Sequence, residues 1–204
     1  MPDERYWNDR YLQGHTEWDM RQVSPPLQAY FDQLPDKNIA ILIPGCGNAY
    51  EAGYLLEKGF TNSTLLDISP VLIDRLREKL PPSPALKLIT ADFFDHRGGY
   101  DLIIEQTFFC ALDPAKRPDY VEQMHRLLKP GGRLAGLLFD REFKSHAAPG
   151  DAAPVGPPFG GHLDEYKKLL EKKFRIKTLA SCYNSIRPRA GTELFLIAHP
   201  WPVL

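Results

Sequence analysis

Apolar, β-prone runs alternate along the chain with stretches of helical periodicity. Several of the runs are apolar at nearly every position, as expected of strands that are covered on both faces. Because strands that alternate with helices form βαβ units, the pattern predicts an α/β fold with a mostly parallel sheet. The seven predicted strands span residues 39–43, 63–68, 86–90, 100–105, 133–139, 174–181 and 193–199.

Five further stretches have the composition and the end signals of helices. Ser69 is the predicted N-cap of one of them, with Pro70 at the first helical position, which is the favoured order. The segment Lys129-Pro130-Gly131-Gly132 predicts a helix end followed by a tight turn into the next strand. The predicted helices span residues 25–34, 50–58, 70–80, 117–128 and 163–172.

Two regions stand outside this alternation. Residues 1–23 are rich in aromatic and charged side chains, and together with the helix that follows they form a predicted N-terminal cap over residues 1–34. Residues 144–161 are dense in Pro, Gly and Ala, which predicts a long loop. Because long loops in compact domains are often functional, we interpret this one as a lid over a binding site.

Three predicted strands end in groups suited to a nucleoside. The first runs into Gly45-Cys46-Gly47, where glycines let a ligand approach the backbone closely. Asp67 ends the second strand, about 20 residues later, where such folds hydrogen-bond a ribose hydroxyl. Asp92 and Phe93 follow the third strand and offer a carboxylate and an aromatic face to an adenine. The alternative interpretation is that Asp67 and Asp92 are ordinary helix caps.

Two cofactor classes use this layout, and one residue separates them. Dinucleotide sites favour a third small residue in the turn, beside the pyrophosphate, whereas this chain has the bulky Tyr50 there. S-adenosylmethionine (AdoMet) has no pyrophosphate, and the aromatic side chains of residues 6–18 can favour its sulfonium cation. The sequence therefore favours AdoMet, with S-adenosylhomocysteine (SAH) as product. A dinucleotide-dependent oxidoreductase, a non-enzymatic AdoMet-binding protein and a purely hydrophobic role for the aromatic cap remain alternatives.

Length and charge narrow the range of partners. The 204 residues suit a single domain with a sizeable core. With 25 basic and 26 acidic residues the net charge is -1, which disfavours nucleic acid as a substrate. No apolar run suits a membrane span. The three cysteines are far apart and odd in number, which argues against a disulfide framework or a metal site. We therefore expect the protein to be cytoplasmic. We expect a small-molecule acceptor and a monomer or weak homodimer.

Several motifs together resemble the thiopurine methyltransferase superfamily, and within it the plant-type methyl halide/thiol methyltransferases. They keep the family's order over most of the chain, and their combination is specific. The motifs are Tyr6-Trp7-Asn8-Asp9-Arg10-Tyr11 with Thr16-Glu17-Trp18-Asp19, Ile43-Pro44-Gly45-Cys46-Gly47, Asp67-Ile68-Ser69, Asp92-Phe93-Phe94, Thr107-Phe108-Phe109-Cys110-Ala111-Leu112, Gly156-Pro157-Pro158-Phe159 and Ile186-Arg187-Pro188-Arg189.

The resemblance implies a single Rossmann-like class I methyltransferase domain. Its sheet has seven mostly parallel strands, an antiparallel last strand and helices on both faces. Two positions depart from the plant-type pattern, since Tyr11 replaces a tryptophan and Gln106 replaces a tyrosine. The implied AdoMet contacts are Trp7, Tyr11, Trp18, Gly45, Asp67, Asp92, Phe93 and Gln106, and we add Gly47 and Ile68 from the same motifs.

Methyl transfer from a sulfonium to a soft nucleophile is an in-line displacement with an activated leaving group. The enzyme therefore needs mainly to align the reactants and exclude water, and no strict catalytic triad is expected. Asp140 and Arg141 are candidates for a base and an anion holder, with a solvated charge pair as the alternative. Phe108, Phe109 and Phe159 are candidates for the acceptor wall, with core packing as the alternative.

The acceptor itself remains open at this stage. The favoured acceptors are a thiol, which would be S-methylated, and a halide. Thiopurine, bisulfide and tellurite are the alternatives. Cys46 and Cys110 are interpreted as small buried fillers, because an activated methyl donor has no use for a covalent intermediate.

Overall fold

A computed structural model describes residues 2–143 and 156–202 of the chain. The strands are β1 (Ile41–Pro44), β2 (Ser63–Asp67), β3 (Leu86–Thr90), β4 (Tyr100–Gln106), β5 (Leu128–Phe139), β6 (Phe174–Ser181) and β7 (Glu193–Pro200). The α-helices are α1 (Glu4–Gln13), α2 (Pro25–Phe31), α3 (Tyr50–Glu57), α4 (Pro70–Lys79), α5 (Arg117–Leu127) and α6 (Leu163–Leu170).

The seven strands form one sheet in the order β3-β2-β1-β4-β5-β7-β6. β1 to β5 pair in parallel, whereas β7 runs antiparallel to both of its neighbours. This arrangement confirms the predicted α/β fold and its antiparallel last strand. Because β1 and β4 are adjacent but the chain leaves them toward opposite sides, a crevice opens above their carboxyl ends, where ligands of such sheets bind.

Both faces of the sheet are covered, as the apolar strands predict. Ile41 and Ile43 of β1 point into one core cluster, to which α2, α3 and α4 contribute buried residues. Leu42 points to the opposite face, into a cluster completed by α5 and α6. The alternation follows from the two-residue period of a strand. Within the described residues, no helix has the length and apolarity needed to cross a membrane.

Helix α1 was not predicted, although its ends carry clear signals. The Asp3 carboxylate accepts a hydrogen bond from the Tyr6 amide at 2.9 Å, and Gly14 ends the helix with a φ of 73°. Capping by an Asp side chain and termination at a left-handed glycine are common at helix ends. The helix was overlooked because only Tyr11 is fully buried along its ten residues, so the sequence lacks a long apolar stripe.

The predicted tight turn at 129–132 is wrong. Strand β5 begins directly after α5, at Leu128, and contains these residues as an irregularity opposite β4. Tyr100 pairs with Leu128, whereas Leu102 pairs with Arg133. Gly131 adopts a φ of 80°, a conformation that favours glycine. The extra residues therefore form a bulge within the strand.

The predicted lid falls partly outside the described residues, which omit 144–155. The remaining part, 156–161, lies beside the end of β5. Its Gly161 amide donates a hydrogen bond to the Arg141 carbonyl at 3.1 Å, and the Phe159 amide donates to the Cys110 carbonyl at 2.7 Å. This segment is therefore attached to two strand-end loops.

Candidate functional site

A cleft of about 900 Å³ lies at the carboxyl ends of the parallel strands. Its volume falls in the range of roughly 300–1,000 Å³ that is typical of ligand sites. The turns after β1, β2, β3 and β4 form its floor, and α1 together with residues 17–20 covers it. Residues 157–158 and 188–189 close the far side. Chain segments that are distant in sequence therefore share one cavity.

The turn after β1 brings backbone to the floor of the cleft. Gly45 and Gly47 have φ values of 56° and 50°, so a side chain at either position would be strained. A Cβ at Gly45 would also overlap the ring of Phe108. Gly47 has more room, because the nearest atom to such a Cβ is the Tyr11 hydroxyl at 4.0 Å. The backbone conformation of the turn therefore requires glycine at both positions.

Asp67 ends β2 with its carboxylate in the cleft and only 7% exposed. Burial raises its pKa to about 6, although the backbone amides of Ser69, Gly47 and Ile68 act in the opposite direction. The Ser69 amide donates to the carboxylate at 3.0 Å. The N-cap of α4 is Ser69 itself, so Asp67 is not the cap of that helix. Asp67 is a buried acceptor positioned by backbone donors.

The turn after β3 supplies a carboxylate and a ring. Asp92 is exposed, lines the cleft and accepts a hydrogen bond from the Phe94 amide at 2.8 Å. The Phe93 ring is buried and meets the Phe108 ring edge to face, with centroids 5.1 Å apart. Gln123 of α5 fixes this turn by donating to the Phe93 carbonyl at 2.6 Å. The structure therefore places both predicted adenine contacts in the cleft.

Three aromatic side chains of the N-terminal cap line the cleft. Trp7 and Trp18 meet edge to face with ring centroids 5.6 Å apart, and Tyr11 meets Trp18 in the same way at 5.9 Å. Tyr11 belongs to the hydrophobic core, and both tryptophans pack against it. The three residues therefore cover the sheet and also face the cavity.

Polar contacts fix α1 on the N-terminal half of α4. The Ser69 hydroxyl donates to the Asn8 side chain at 2.6 Å, and Arg75 donates to the Tyr11 carbonyl at 2.7 Å. These contacts hold the aromatic face of α1 above the turn that carries Asp67.

Asp19 anchors the rest of the cap. Its carboxylate accepts hydrogen bonds from Asn48 at 2.8 Å and from the Tyr50 hydroxyl at 3.2 Å. Arg189 donates to the Trp18 carbonyl at 2.8 Å from the opposite side. Tyr50, which is too bulky for a dinucleotide turn, therefore binds the cap over the glycine turn.

Gln106 ends β4 and faces the cleft. Its Oε1 atom is buried and has no hydrogen-bond partner within the described residues, and its Nε2 lies 4.0 Å from the Met20 sulfur. The next residue, Thr107, has a φ of 59°. A buried acceptor without a partner is costly, so this amide is suited to receive a hydrogen bond from a ligand.

Sequence reasoning missed Glu105, which organises the loop after β4. Its fully buried carboxylate accepts hydrogen bonds from the amides of Phe108 at 2.8 Å and Phe109 at 2.9 Å, and from the Tyr120 hydroxyl at 2.7 Å. Burial raises its pKa to about 7, against the effect of these donors. Gly136 of β5 leaves the space beside it, since a Cβ there would overlap Glu105. The sequence feature that could have identified Glu105 is an acidic residue within an otherwise apolar strand.

The three predicted acceptor-wall phenylalanines have different positions. Phe108 lines the cleft, between Gly45 and Phe93. Phe109 instead lies in the core, 3% exposed, with its ring 5.0 Å from that of Tyr120. Phe159 does not line the cavity, although the neighbouring Pro157 and Pro158 do. Further aromatic lining comes from residues that were not predicted, Phe139 and Phe143.

The predicted charge pair after β5 is split. The Asp140 carboxylate accepts a hydrogen bond from the Leu163 amide at 3.1 Å, at the start of α6, and lies outside the cleft lining. Arg141 lines the cleft, with its guanidinium 4.8 Å from the Phe143 ring centroid. Only the predicted anion holder therefore faces the cavity.

Arg189 brings a second guanidinium to the same end of the cleft. It forms an ion pair with the buried Glu193 at 3.2 Å, and its guanidinium lies 5.2 Å from the Phe139 ring centroid. Because Glu193 neutralises this cation, Arg141 is the more available positive charge.

Cys46 and Cys110 also line the cavity, and both are buried as free thiols. Burial raises the pKa of Cys110 to about 12, and its sulfur lies 3.2 Å from the Thr107 carbonyl. Since the thiolate is the reactive form, this thiol is a weak nucleophile at neutral pH. In the part of the chain that is described, no cluster of three His, Cys, Asp or Glu side chains is arranged to hold a metal ion.

Comparison with known proteins gives relatives along nearly the whole chain. The family model described as thiopurine S-methyltransferase matches residues 2–198. A "probable thiol methyltransferase 2" of Arabidopsis thaliana is 31% identical over 193 residues, covering 92% of this chain and 81% of the relative. "Thiocyanate methyltransferase 1" of Brassica oleracea is 28% identical over 198 residues, covering 94% and 83%.

A solved structure has the same fold. The 1,6-didemethyltoxoflavin-N1-methyltransferase of Burkholderia thailandensis, solved with bound 1,6-didemethyltoxoflavin and SAH, superposes with a TM-score of 0.75 at 18% identity. The match covers 98% of this chain and 87% of that one.

Proposed function

The chain belongs to the thiopurine S-methyltransferase family, and from that premise we propose that its methyl acceptor is a small, soft anion, most of all a thiolate. The chain is an AdoMet-dependent methyltransferase, so bound AdoMet supplies a methyl group that its sulfonium already activates. The family membership argues against both alternatives, a dinucleotide-dependent oxidoreductase and a non-enzymatic AdoMet-binding protein.

The residues of the cleft fit this cofactor. The glycine turn at Gly45 and Gly47 brings backbone to the cleft in a conformation that a side chain would strain. Beside it, the Asp67 carboxylate suits a ribose diol, and Asp92 with Phe93 suits an adenine. We propose that the predicted contacts Trp7, Tyr11, Trp18, Ile68 and Gln106, which also line the cleft, enclose the remainder of the molecule.

The acceptor subsite is proposed at the β4–β5 end of the cleft. Phe139, Phe143 and Pro158 give it an apolar wall, and Arg141 adds a positive charge at its rim. Large polarizable nucleophiles such as thiolates lose less hydration energy in such surroundings than hard oxyanions do. The chain's main contributions are then alignment and exclusion of water, which such a displacement requires.

One observation carries the choice of an anion over a neutral nucleophile. Three carboxylates around this subsite are already engaged: Asp140 accepts from the Leu163 amide, Glu105 from three donors, and Glu193 pairs with Arg189. Among the described residues, none of these is available as a general base. An acceptor that ionises by itself, such as thiocyanate, bisulfide or an aromatic thiol, needs no base.

The test is SAH release from AdoMet with a panel of acceptors. We would compare thiocyanate, bisulfide, iodide, an aromatic thiol and a thiopurine with a primary amine and a phenol of similar size. Turnover with the soft anions and little with the amine or phenol is expected. The Asp67→Ala variant provides the control for the cofactor site. Turnover confined to the amine or phenol, or absent throughout although SAH binds, would contradict the proposed acceptor class.

The cytoplasm remains our proposed compartment. Cys46, Cys110 and Cys182 are all free thiols, which suits a reducing environment. A monomer or weak homodimer that acts on a small molecule also remains a proposal.

A further inference from the structure

We infer that Arg10 is the residue that binds the carboxylate of the cofactor's methionyl half. Its side chain projects from α1 into the cleft and is 30% exposed. The inference rests on the use of AdoMet and is independent of which acceptor is methylated. No sequence motif assigned a role to this residue beyond its place in the aromatic opening.

The position of Arg10 follows from the direction in which the cofactor must lie. We proposed the adenine at Asp92 and the ribose at Asp67, which line the cleft above β3 and β2. Since β1 is the next strand of the sheet, the methionyl half would extend over the turn after β1, beneath α1. Arg10 lies there, with its guanidinium 5.5 Å from the Trp18 ring centroid and 5.7 Å from that of Tyr6. These rings restrict the guanidinium on two sides.

The hydrogen bonding of Arg10 is incomplete. Its Nε atom is buried and has no partner among the described residues, while one terminal nitrogen lies 3.2 Å from the Glu17 carboxylate. A guanidinium favours bidentate binding of a carboxylate through two parallel N–H groups. Glu17 uses only one of them, and its side chain is 70% exposed. A second carboxylate can therefore replace Glu17 at little cost, because exposed ion pairs contribute little.

The other cations of the cleft are less suited to this role. Arg126 already donates to the Phe94 carbonyl and to the Gln123 side chain. Arg189 is paired with Glu193, and Lys116 is paired with Asp119 near the Phe94 ring. Arg141 lies at the β5 end, beside Phe143. Arg10 thus combines the right place with unused donors.

Two ligands that differ only in the methionyl half test this assignment. SAH carries the carboxylate, whereas 5′-methylthioadenosine has the same nucleoside and sulfur without the amino-acid group. We would measure the Kd of both by calorimetry for the wild type, Arg10→Gln and Arg10→Lys. Arg10→Gln should weaken SAH by about 10- to 100-fold and leave methylthioadenosine within about twofold. Arg10→Lys should fall between, since lysine keeps the charge but loses the fork.

The competing carboxylate gives a second, opposite readout. Glu17→Gln should tighten SAH by about two- to fivefold without affecting methylthioadenosine, because it removes the resident partner of Arg10. Equal loss of both ligands in Arg10→Gln, or no loss of either, would overturn the assignment. Weaker SAH binding in Glu17→Gln would contradict the claim that Glu17 competes with the cofactor carboxylate for Arg10. If the wild type bound neither ligand, the use of AdoMet itself would be refuted, which is a distinguishable result.

Discussion

The two halves of the cleft are built in different ways. In the cofactor half, the groups proposed for the nucleoside stand at the end of a strand or in the turn directly after it, as with Gly45 after β1, Asp67 at the end of β2 and Asp92 after β3. In the acceptor half, Phe139, Pro158 and Arg189 come from three segments that meet only in the folded chain. A site whose groups lie at strand ends can therefore be predicted from the sequence. A site whose groups come from segments far apart in the chain cannot.

The largest effect should come from Asp67, in the cofactor half. Asp67→Ala removes a buried acceptor, and we expect the Kd of SAH to rise by about 10- to 100-fold, equivalent to roughly 1.5–3 kcal/mol. Calorimetry measures this directly. Asp95→Ala, an exposed carboxylate outside the cleft lining, is the matched control and should bind normally. Unchanged affinity in Asp67→Ala would mean that the ribose lies elsewhere.

The pH dependence of cofactor binding should follow the same carboxylate. Burial raises the pKa of Asp67 to about 6, and a ribose hydroxyl prefers the ionised form as its acceptor. Affinity for SAH should therefore fall as the pH drops below 6, by about tenfold at pH 5. Asp67→Asn should remove this dependence. A wild-type profile that stays flat from pH 7 to 5 would contradict the assignment.

Stability should respond to pH in the opposite sense. Because the pKa of Asp67 is higher in the folded chain than its ordinary value of 3.8, the folded state binds the proton more tightly. The contribution of this group to the free energy of unfolding therefore grows as the pH falls from about 6 toward 4. Urea unfolding of wild type and Asp67→Asn without ligand would separate this contribution from that of other groups.

A smaller effect, confined to the acceptor half, is expected for Arg141. Arg141→Gln should raise the KM for an anionic acceptor about two- to fivefold, since an exposed charge contributes little. The Kd of SAH should not change. Arg187→Gln, an exposed arginine outside the cleft lining, controls for net charge. If both variants shift KM equally, the effect is general electrostatics and Arg141 has no special role.

The smallest effect is expected for Asp140. Its carboxylate receives the Leu163 amide instead of facing the cleft, so Asp140→Asn should keep kcat within about twofold, while Asp140→Ala should lower the free energy of unfolding by about 1 kcal/mol. Steady-state kinetics and urea unfolding measure the two quantities. A large fall of kcat in Asp140→Asn with unaltered stability would restore Asp140 as a catalytic base.

The misses in the sequence interpretation have physical causes. Helix α1 packs with a short aromatic face, so it lacks the long apolar stripe by which helices are recognised. The turn at 129–132 became a bulge because β4 accommodates the extra residues by a register shift, which depends on its partner strand. Phe108 and Phe109 are adjacent and chemically identical, yet one faces the cleft and the other the core. The folded loop, which Glu105 holds through the amides of both residues, decides between them.

The sequence by itself determined which chemical groups follow the first three strands. These are the glycine turn after β1, the carboxylate of Asp67 at the end of β2, and Asp92 with Phe93 after β3. It could do so because parallel strands bring their carboxyl ends to one edge, whatever the details of packing. Tertiary structure alone decided which of Asp140 and Arg141 faces the cavity, what Glu105 holds, and that Arg10 reaches the cleft. These outcomes depend on side-chain direction and on contacts between distant segments, and residue order carries neither.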